Sequence, residues 1–367
     1  MFKTLEWSSD GTALLATSED NVLRTFLVPV DLLAEGRDVA QPWLPTSSLQ
    51  RPENIYSSAL YPYFCLQDIS TAILLSACAS QPIHLHSALF PQLLASFPLI
   101  DPYTEAYITP HSLQFSRSGQ SFAAGSNSLI SIFDLTRPGD GPLLSLPTIP
   151  SRRSKVIGGG VGMKGIIATL DESHDGMLAA GTFTRWIGLY AQGGKGECIA
   201  TWSLQGESGN GVSQVLWDKA DARYLYVAER NSDEITVYDI RKTGRQVGRL
   251  LGRRATSNQR LQIGQVLSSS GPELHAGGLD GVCQAWKAPW VVNGDKMPDW
   301  CWQAHDGIVI PSNYFSPYYR VRPLTTASMT YRSSHGSLRP LHGCRLSYLI
   351  RSKEYLTDAS VARRRRS

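Results

Sequence analysis

A short unit of turn and strand signals recurs along most of the chain. Each copy begins with a turn dipeptide such as Asp10-Gly11 or Asp175-Gly176, continues through a strand rich in small apolar residues, and ends with an apolar strand. Glycine in such dipeptides supplies the positive φ that tight hairpins need, and short apolar runs bounded by turn residues are typical of β-strands. The pattern therefore predicts an all-β chain. The last strand of each copy ends at Phe26, His86, Phe133, Tyr190, Tyr238 or Trp286.

The spacing of these end positions indicates the architecture. They are separated by 60, 47, 57, 48 and 48 residues, which fits the four-stranded blades of a WD-repeat β-propeller with a few loop insertions. Six blades are recognisable. A degenerate seventh is expected at about residues 293–332, where Leu324-Thr325-Thr326-Ala327-Ser328 could form one strand. We therefore expect a propeller over residues 1–332 and a basic, low-order tail over 333–367.

Composition narrows the class of protein. Hydrophobic residues make up 42% of the chain and charged residues 18%, as expected for a large buried core. The six cysteines form no C-x-x-C pair, the start lacks the apolar stretch of a signal peptide, and no apolar run is long enough to span a bilayer. These features predict an intracellular protein with no membrane attachment.

No arrangement of residues indicates catalysis. The sequence contains neither an H-E-x-x-H motif nor a G-x-S-x-G motif. His84 and His86 share one face of a strand, but they could hold a metal only with ligands from elsewhere, and His86 occupies an aromatic packing position. We therefore predict that the protein is not an enzyme and has no catalytic residues, metal site, cofactor or small-molecule substrate.

Charge is distributed unevenly. Residues 1–136 carry 5 Lys or Arg and 12 Asp or Glu, a net of −7, and the remainder carries 30 and 19, a net of +11. Between Ile240 and Pro272 there is no acidic residue. Such a stretch favours contact with phosphates, and Arg, Asn and Gln can also contact RNA bases. The predicted RNA-binding residues are Arg241, Lys242, Arg245, Arg249, Arg253, Arg254, Asn258, Gln259 and Arg260. The alternative is that this stretch is a solvated loop in which residues 258–260 only fix the connection between blades.

Several motifs resemble one family of propellers. The stretches concerned are Trp7-Ser8-Ser9-Asp10-Gly11-Thr12, Ser18-Glu19-Asp20-Asn21-Val22-Leu23-Arg24, Pro82-Ile83-His84-Leu85, His111-Ser112-Leu113-Gln114-Phe115-Ser116, Phe133-Asp134-Leu135-Thr136-Arg137-Pro138-Gly139, Gly165-Ile166-Ile167 and Ser257-Asn258-Gln259-Arg260. In this order, over roughly residues 1–290, they resemble the telomerase Cajal body protein family, including its fungal relatives linked to snRNA and splicing. The resemblance implies binding of small nuclear or telomerase-type RNA.

The expected function follows from the fold, the charge and the resemblance together. We predict a non-enzymatic WD-repeat scaffold that binds small nuclear, Cajal body or telomerase RNA, contacts ribonucleoprotein proteins, and assists localisation or biogenesis of the particle. Its expected location is the nucleus, in Cajal bodies or nucleoplasm, with the cytoplasm as a second location. The alternative is a protein-only scaffold, such as a splicing-complex component or a substrate adaptor of a ubiquitin ligase.

Overall fold

The chain folds into six large β-sheets arranged as the blades of a β-propeller, as the repeat pattern predicts, and a two-stranded sheet follows them. The computed structural model describes residues 2–29, 43–149, 163–206, 208–242, 244–257, 261–267, 271–292 and 294–304, and the backbone alone of residues 268, 310–311 and 326–327. Within these residues the only helical elements are three single 3₁₀ turns, at Ile69–Thr71, Gln192–Gly194 and Ile240–Lys242.

Each of the six blades has four antiparallel strands in its main sheet. Blade one contains β1 (Phe2–Trp7), β2 (Ala13–Ser18), β3 (Val22–Leu27) and β4 (Ser47–Gln50); blade two contains β5 (Ile55–Leu60), β6 (Ile73–Cys78), β7 (Ile83–Ser87) and β8 (Leu93–Phe97); blade three contains β9 (Ser112–Phe115), β10 (Ser121–Ser126), β11 (Leu129–Asp134) and β12 (Leu144–Pro147). Blade four contains β13 (Ile167–Glu172), β14 (Leu178–Thr182), β15 (Trp186–Tyr190) and β16 (Cys198–Ser203); blade five contains β17 (Val212–Trp217), β18 (Tyr224–Glu229), β19 (Ile235–Asp239) and β20 (Gln246–Leu250); blade six contains β21 (Ile263–Ser268), β22 (Gly271–Gly277), β23 (Val282–Lys287) and β25 (Trp300–Gln303). The remaining strands are β24 (Gly294–Lys296), β26 (Ile310–Pro311) and β27 (Thr326–Ala327).

The register is the same in all six blades. The end position of the third strand always lies opposite an apolar residue of the second strand, as in Phe122↔Phe133 and Leu74↔His86, and all six end positions are at most 4% exposed. Apolar side chains from facing sheets fill the spaces between consecutive blades. Between blades two and three, for example, the rings of Phe97 and Phe122 lie 5.1 Å apart, edge to face. The aromatic end positions are thus part of the core between blades.

The strand order gives the propeller two faces. The turns after the first and third strands of every blade lie on one face, which we call the lower face. The turn after the second strand and the connection to the next blade lie on the other, the upper face. The first strands of blades two to six contact one another in succession, so they form the inner wall.

The lower-face turns are held by a repeated polar contact. In blade one, the Ser8 hydroxyl donates to Asp10 Oδ1 at 2.6 Å and accepts from the Ala13 amide at 2.9 Å. Ser173 makes the equivalent contacts with Asp175 and the Met177 amide in blade four. Because the turn glycine that follows Asp10 has φ +71°, a side chain there would strain the backbone.

Blade five replaces this serine with Asp218, which forms a buried hydrogen-bond network. Its Oδ1 accepts from the amides of Ala220 and Asp221, both at 2.8 Å. Its Oδ2 accepts from the Tyr226 hydroxyl at 2.7 Å and from Gln265 Nε2 of blade six at 2.5 Å. Asp218 is 1% exposed. The Trp217-Asp218 pair therefore ends the first strand of its blade and joins it to the next blade.

Strand β24 departs from the repeat. It lies in the connection between the third and fourth strands of blade six, yet it pairs parallel with β20 at the outer edge of blade five. Residues 294–303, which the sequence pattern assigns to the start of a seventh blade, thus belong to the sheets of blades five and six. The strand pair β26–β27 follows, and β26 contacts β22 of blade six and β1 of blade one. Apart from the backbone of residues 310–311 and 326–327, the rest of the predicted seventh blade and the predicted tail over 333–367 lie outside the described residues, and both stay predictions.

Candidate functional site

The predicted RNA-binding segment is divided between opposite ends of one strand. Residues 241–245 lie in the turn between β19 and β20, on the lower face, and residues 251–257 follow β20 on the upper face. The register confirms this, because Tyr238 pairs with Gln246 at one end and Ile235 with Leu250 at the other. A strand rises about 3.3 Å per residue, so the two groups cannot form one continuous patch.

Four cations lie together on the lower face: Arg223, Arg241, Lys242 and Arg245, which we call the lower cation cluster. Arg241 donates to the Asp239 carboxylate through Nε at 2.9 Å and Nη2 at 2.5 Å. Arg223 Nε donates to Asp221 Oδ1 at 2.7 Å. These hydrogen bonds lower the pKa values of Asp239 and Asp221, so both carboxylates are charged at neutral pH.

The remaining two cations of the cluster are exposed. Lys242 and Arg245 have no carboxylate within ion-pair distance among the described residues. Four cations less two carboxylates leave a formal charge of +2 on this part of the lower face. Exposed, unneutralised cations attract phosphates with little desolvation cost.

An aromatic pair accompanies the lower cation cluster. Tyr224, the first residue of β18, stacks on Trp290 of blade six with ring centroids 6.1 Å apart and planes 19° from parallel. The Arg223 guanidinium carbon lies 5.9 Å from the Tyr224 ring centroid. Aromatic rings beside cations are suited to stacking on unpaired bases. The sequence pattern did not indicate this pair, because its members are 66 positions apart in the chain.

Arg249 lies at the outer edge of blade five and is ion-paired. Its Nε and Nη2 donate to the two oxygens of Asp295 at 2.8 and 2.9 Å, and Nη1 donates to Glu234 at 3.1 Å. Asp295 belongs to β24, so these contacts hold that strand against β20. The main role of Arg249 in this structure is to hold β24 in place.

Arg253 and Arg254 are neighbours with opposite environments. Arg253 is 1% exposed; its Nη2 donates to the Ser232 carbonyl at 3.0 Å, and burial lowers its pKa to about 10. Phosphate cannot reach it in this arrangement. Arg254 is exposed and lies 3.6 Å from the Asp280 carboxylate. The other predicted contacts, Asn258, Gln259 and Arg260, lie outside the described residues.

The expectation of cations without counter-charges is therefore wrong for part of the segment. The carboxylates that pair with the arginines of this segment come from outside it. They are Asp239 at the end of β19, Asp295 in β24, Glu234 in the turn before β19 and Asp280 in blade six. A linear count of charge within residues 240–272 could not include them.

The described residues offer neither a cluster of metal ligands nor a membrane-spanning helix. No group of three or more His, Cys, Asp or Glu side chains in these parts of the chain could hold a metal ion. None of the helices described there is long and apolar enough to cross a membrane.

Comparison with known proteins places the chain in a family. It is 31% identical over 290 residues to guanine nucleotide-binding protein negative regulator 1 of Schizosaccharomyces pombe, a match that covers 78% of this chain and 70% of the relative. It is 27% identical over 296 residues to human telomerase Cajal body protein 1, covering 80% of this chain and 51% of that protein. The chain belongs to the telomerase Cajal body protein family of WD-repeat proteins.

The matches to this family cover only part of each relative. Protein SWT21 of Kluyveromyces lactis is 28% identical over 249 residues, covering 65% of this chain and 57% of SWT21. The chain spans about half the length of the telomerase Cajal body protein 1 sequences it matches. No protein-family model matches it. The resemblance stated from sequence motifs is confirmed, and membership supports a scaffold role for the propeller.

Proposed function

We propose that this protein is a non-enzymatic WD-repeat scaffold that binds small nuclear or telomerase-type RNA through the lower face of blade five. The observation that supports the proposal is the lower cation cluster beside the Tyr224–Trp290 stack. The exposed cations would contact phosphates and the rings would stack on an unpaired base. The other surfaces of the ring would contact ribonucleoprotein proteins in the nucleus.

Of the sequence-predicted residues, Arg241, Lys242 and Arg245 are retained in this proposal. Arg253 is omitted because it is buried. Arg249 is omitted because it lies within β20, away from the lower-face turn, and two carboxylates hold its guanidinium. Arg223, Tyr224 and Trp290 are added. Arg254 lies on the opposite face and would need a separate RNA contact.

Reversing the two unpaired cations should weaken RNA binding. Lys242→Glu combined with Arg245→Glu removes two phosphate partners and adds two repulsive charges, so we expect affinity for a labelled small nuclear RNA stem-loop with single-stranded flanks to fall by at least about tenfold at physiological salt. Fluorescence anisotropy at several salt concentrations measures the affinity. The dependence of affinity on salt should also become shallower, because fewer ions are released on binding.

A charge-matched control is available on the same face. Arg137→Glu with Lys195→Glu makes the same change in net charge in the corresponding turns of blades three and four, where both residues are exposed. Its affinity should stay within about twofold of the unmodified protein, since rim charges far from the contact act weakly. Equal losses in the two double variants would contradict a contact at blade five.

No binding of RNA by the unmodified protein, and no RNA recovered by crosslinking in cells, would favour the protein-only scaffold.

A further inference from the structure

The outer strand of blade two presents an exposed apolar edge. Leu93 and Leu94 in β8 are 52% and 46% exposed, and Phe90 in the preceding turn is 51% exposed. Successive side chains of a regular strand point to opposite faces. Here a bulge lies between the pairs Leu85↔Ala95 and His86↔Leu93, so Leu94 is the extra residue. The bulge lets both leucines face solvent.

This edge lacks the charges that normally protect an outer strand. Between Asp68 and Asp101 the chain contains no Asp, Glu, Lys or Arg. The outer strand of blade four, by contrast, is preceded by Lys195 and Glu197, and that of blade five contains Arg249. Exposed edge strands usually carry charges or are covered, because their free backbone groups can pair with another chain. The outer strands of blades one, three, four and six also contain no charged residue, but none of them lies in an uncharged stretch as long as residues 69–100.

Blade five shows how an edge in this fold is covered. Strand β24 adds to β20 in parallel, with Gly248↔Gly294 and Leu250↔Lys296 as paired positions, and Arg249 binds Asp295 across the junction. No strand is paired with the outer side of β8 in the described parts of the chain. One backbone contact is made there, from the Gly139 amide to the Ser96 carbonyl at 2.8 Å. The open part of the edge is therefore Leu93–Ala95.

The surrounding charge indicates what would pair there. Asp68 is exposed on the lower face of blade two, and Glu105 is exposed on the connection that leaves its upper face. Each face of blade two thus carries an exposed carboxylate, within a half of the chain whose net charge is −7. Electrostatic complementarity favours basic residues at both ends of a bound segment.

We propose that β8 binds an extended segment of a partner protein, added as a fifth strand, with an apolar centre and basic flanks. The backbone of Leu93–Ala95 would supply hydrogen bonds, while Phe90, Leu93 and Leu94 would bury apolar side chains of the segment. Such strand addition is a common mode of peptide recognition. The surface lies on blade two and is separate from the RNA contact proposed on blade five.

The test uses three labelled peptides and the whole protein. The first is Lys-Lys-Val-Thr-Val-Thr-Lys-Lys, the second replaces every lysine with glutamate, and the third replaces the second valine with proline. We expect saturable binding of the first, binding at least about tenfold weaker for the second because of charge, and no binding of the third because proline cannot pair as a central strand residue. Hydrogen exchange should show protection of residues 93–95 by the first peptide alone.

Two variants locate the site. Leu93→Lys with Leu94→Lys should abolish binding of the first peptide, whereas Ile199→Lys, at a residue of the outer strand of blade four that is 54% exposed, should leave it unchanged. Equal binding of the lysine and proline peptides, or binding that survives the double substitution, would overturn the proposal. So would the absence of peptide binding together with a concentration-dependent dimer that the double substitution abolishes. That result would assign the edge to a second copy of the chain.

Discussion

Replacing Asp218 with alanine is expected to lower the free energy of unfolding by about 3–5 kcal/mol, because several buried donors would lose their acceptor together. The Tyr226 hydroxyl and the Gln265 amide are fully buried. The amides of Ala220 and Asp221 would also lose the oxygen that holds their turn. Urea unfolding followed by tryptophan fluorescence measures the change.

Asp221→Ala is the matched control for this prediction. Asp221 lies three positions away and pairs with Arg223, whose side chain is 52% exposed. Such a surface ion pair is worth about 1 kcal/mol or less. A loss at Asp218 no larger than the loss at Asp221 would show that the network does not stabilise the contact between blades five and six.

The second prediction concerns the histidine at an aromatic position. His86 is 1% exposed. Burial, together with the positive charge of nearby Arg51, lowers its pKa from 6.5 to about 4. Protonation at this site would place a charge in the space that phenylalanine fills in blades one and three.

The direction of the pH effect follows from the lowered pKa. Between pH 6.5 and 4 the unfolded chain binds a proton at this histidine and the folded chain does not, so stability is lost as the pH falls. For a shift of this size the loss is about 3 kcal/mol. We expect His86→Phe to reduce the fall in unfolding free energy between pH 7 and pH 4.5, since it removes this titration. Urea unfolding of both proteins at each pH measures the difference.

Two points make this test specific. His84 lies beside His86, with ring centroids 5.6 Å apart, and its pKa is also lowered to about 4, so the variant should retain part of the acid sensitivity. His174→Asn changes an exposed histidine and controls for the loss of a histidine that is not part of the buried pair. If His86→Phe lost stability on acidification as steeply as the unmodified protein, the buried histidine would not be the cause.

The blades could be predicted because their signals are local. A turn dipeptide and the end position of the third strand recur within each unit, and the structure places Phe26, His86 and Trp286 at equivalent register. The addition of β24 to blade five could not be predicted in this way. Its pairing with β20 depends on the packing of two blades, and Gly294–Lys296 carries no strong strand signal.

The candidate site was predicted less completely than the fold, because it too depends on contacts between residues far apart in the sequence. The charge count pointed to cations near blade five, but it could not separate the exposed Arg254 from the buried Arg253 beside it. It also could not find Tyr224 and Trp290, which meet only when blades five and six pack together. Burial and neighbouring charge are properties of tertiary structure, whereas turn chemistry can be recognised in the sequence alone.

The pairing of β24 with β20 restricts how the sequences of blades five and six can change during evolution. It belongs to blade six by sequence, but it completes the sheet of blade five and is held there by the Arg249–Asp295 pair. An insertion or deletion between Trp290 and Pro298 would therefore disturb two blades. We expect substitutions at positions 249 and 295 to covary among orthologues, and we expect recombination to exchange blades five and six together.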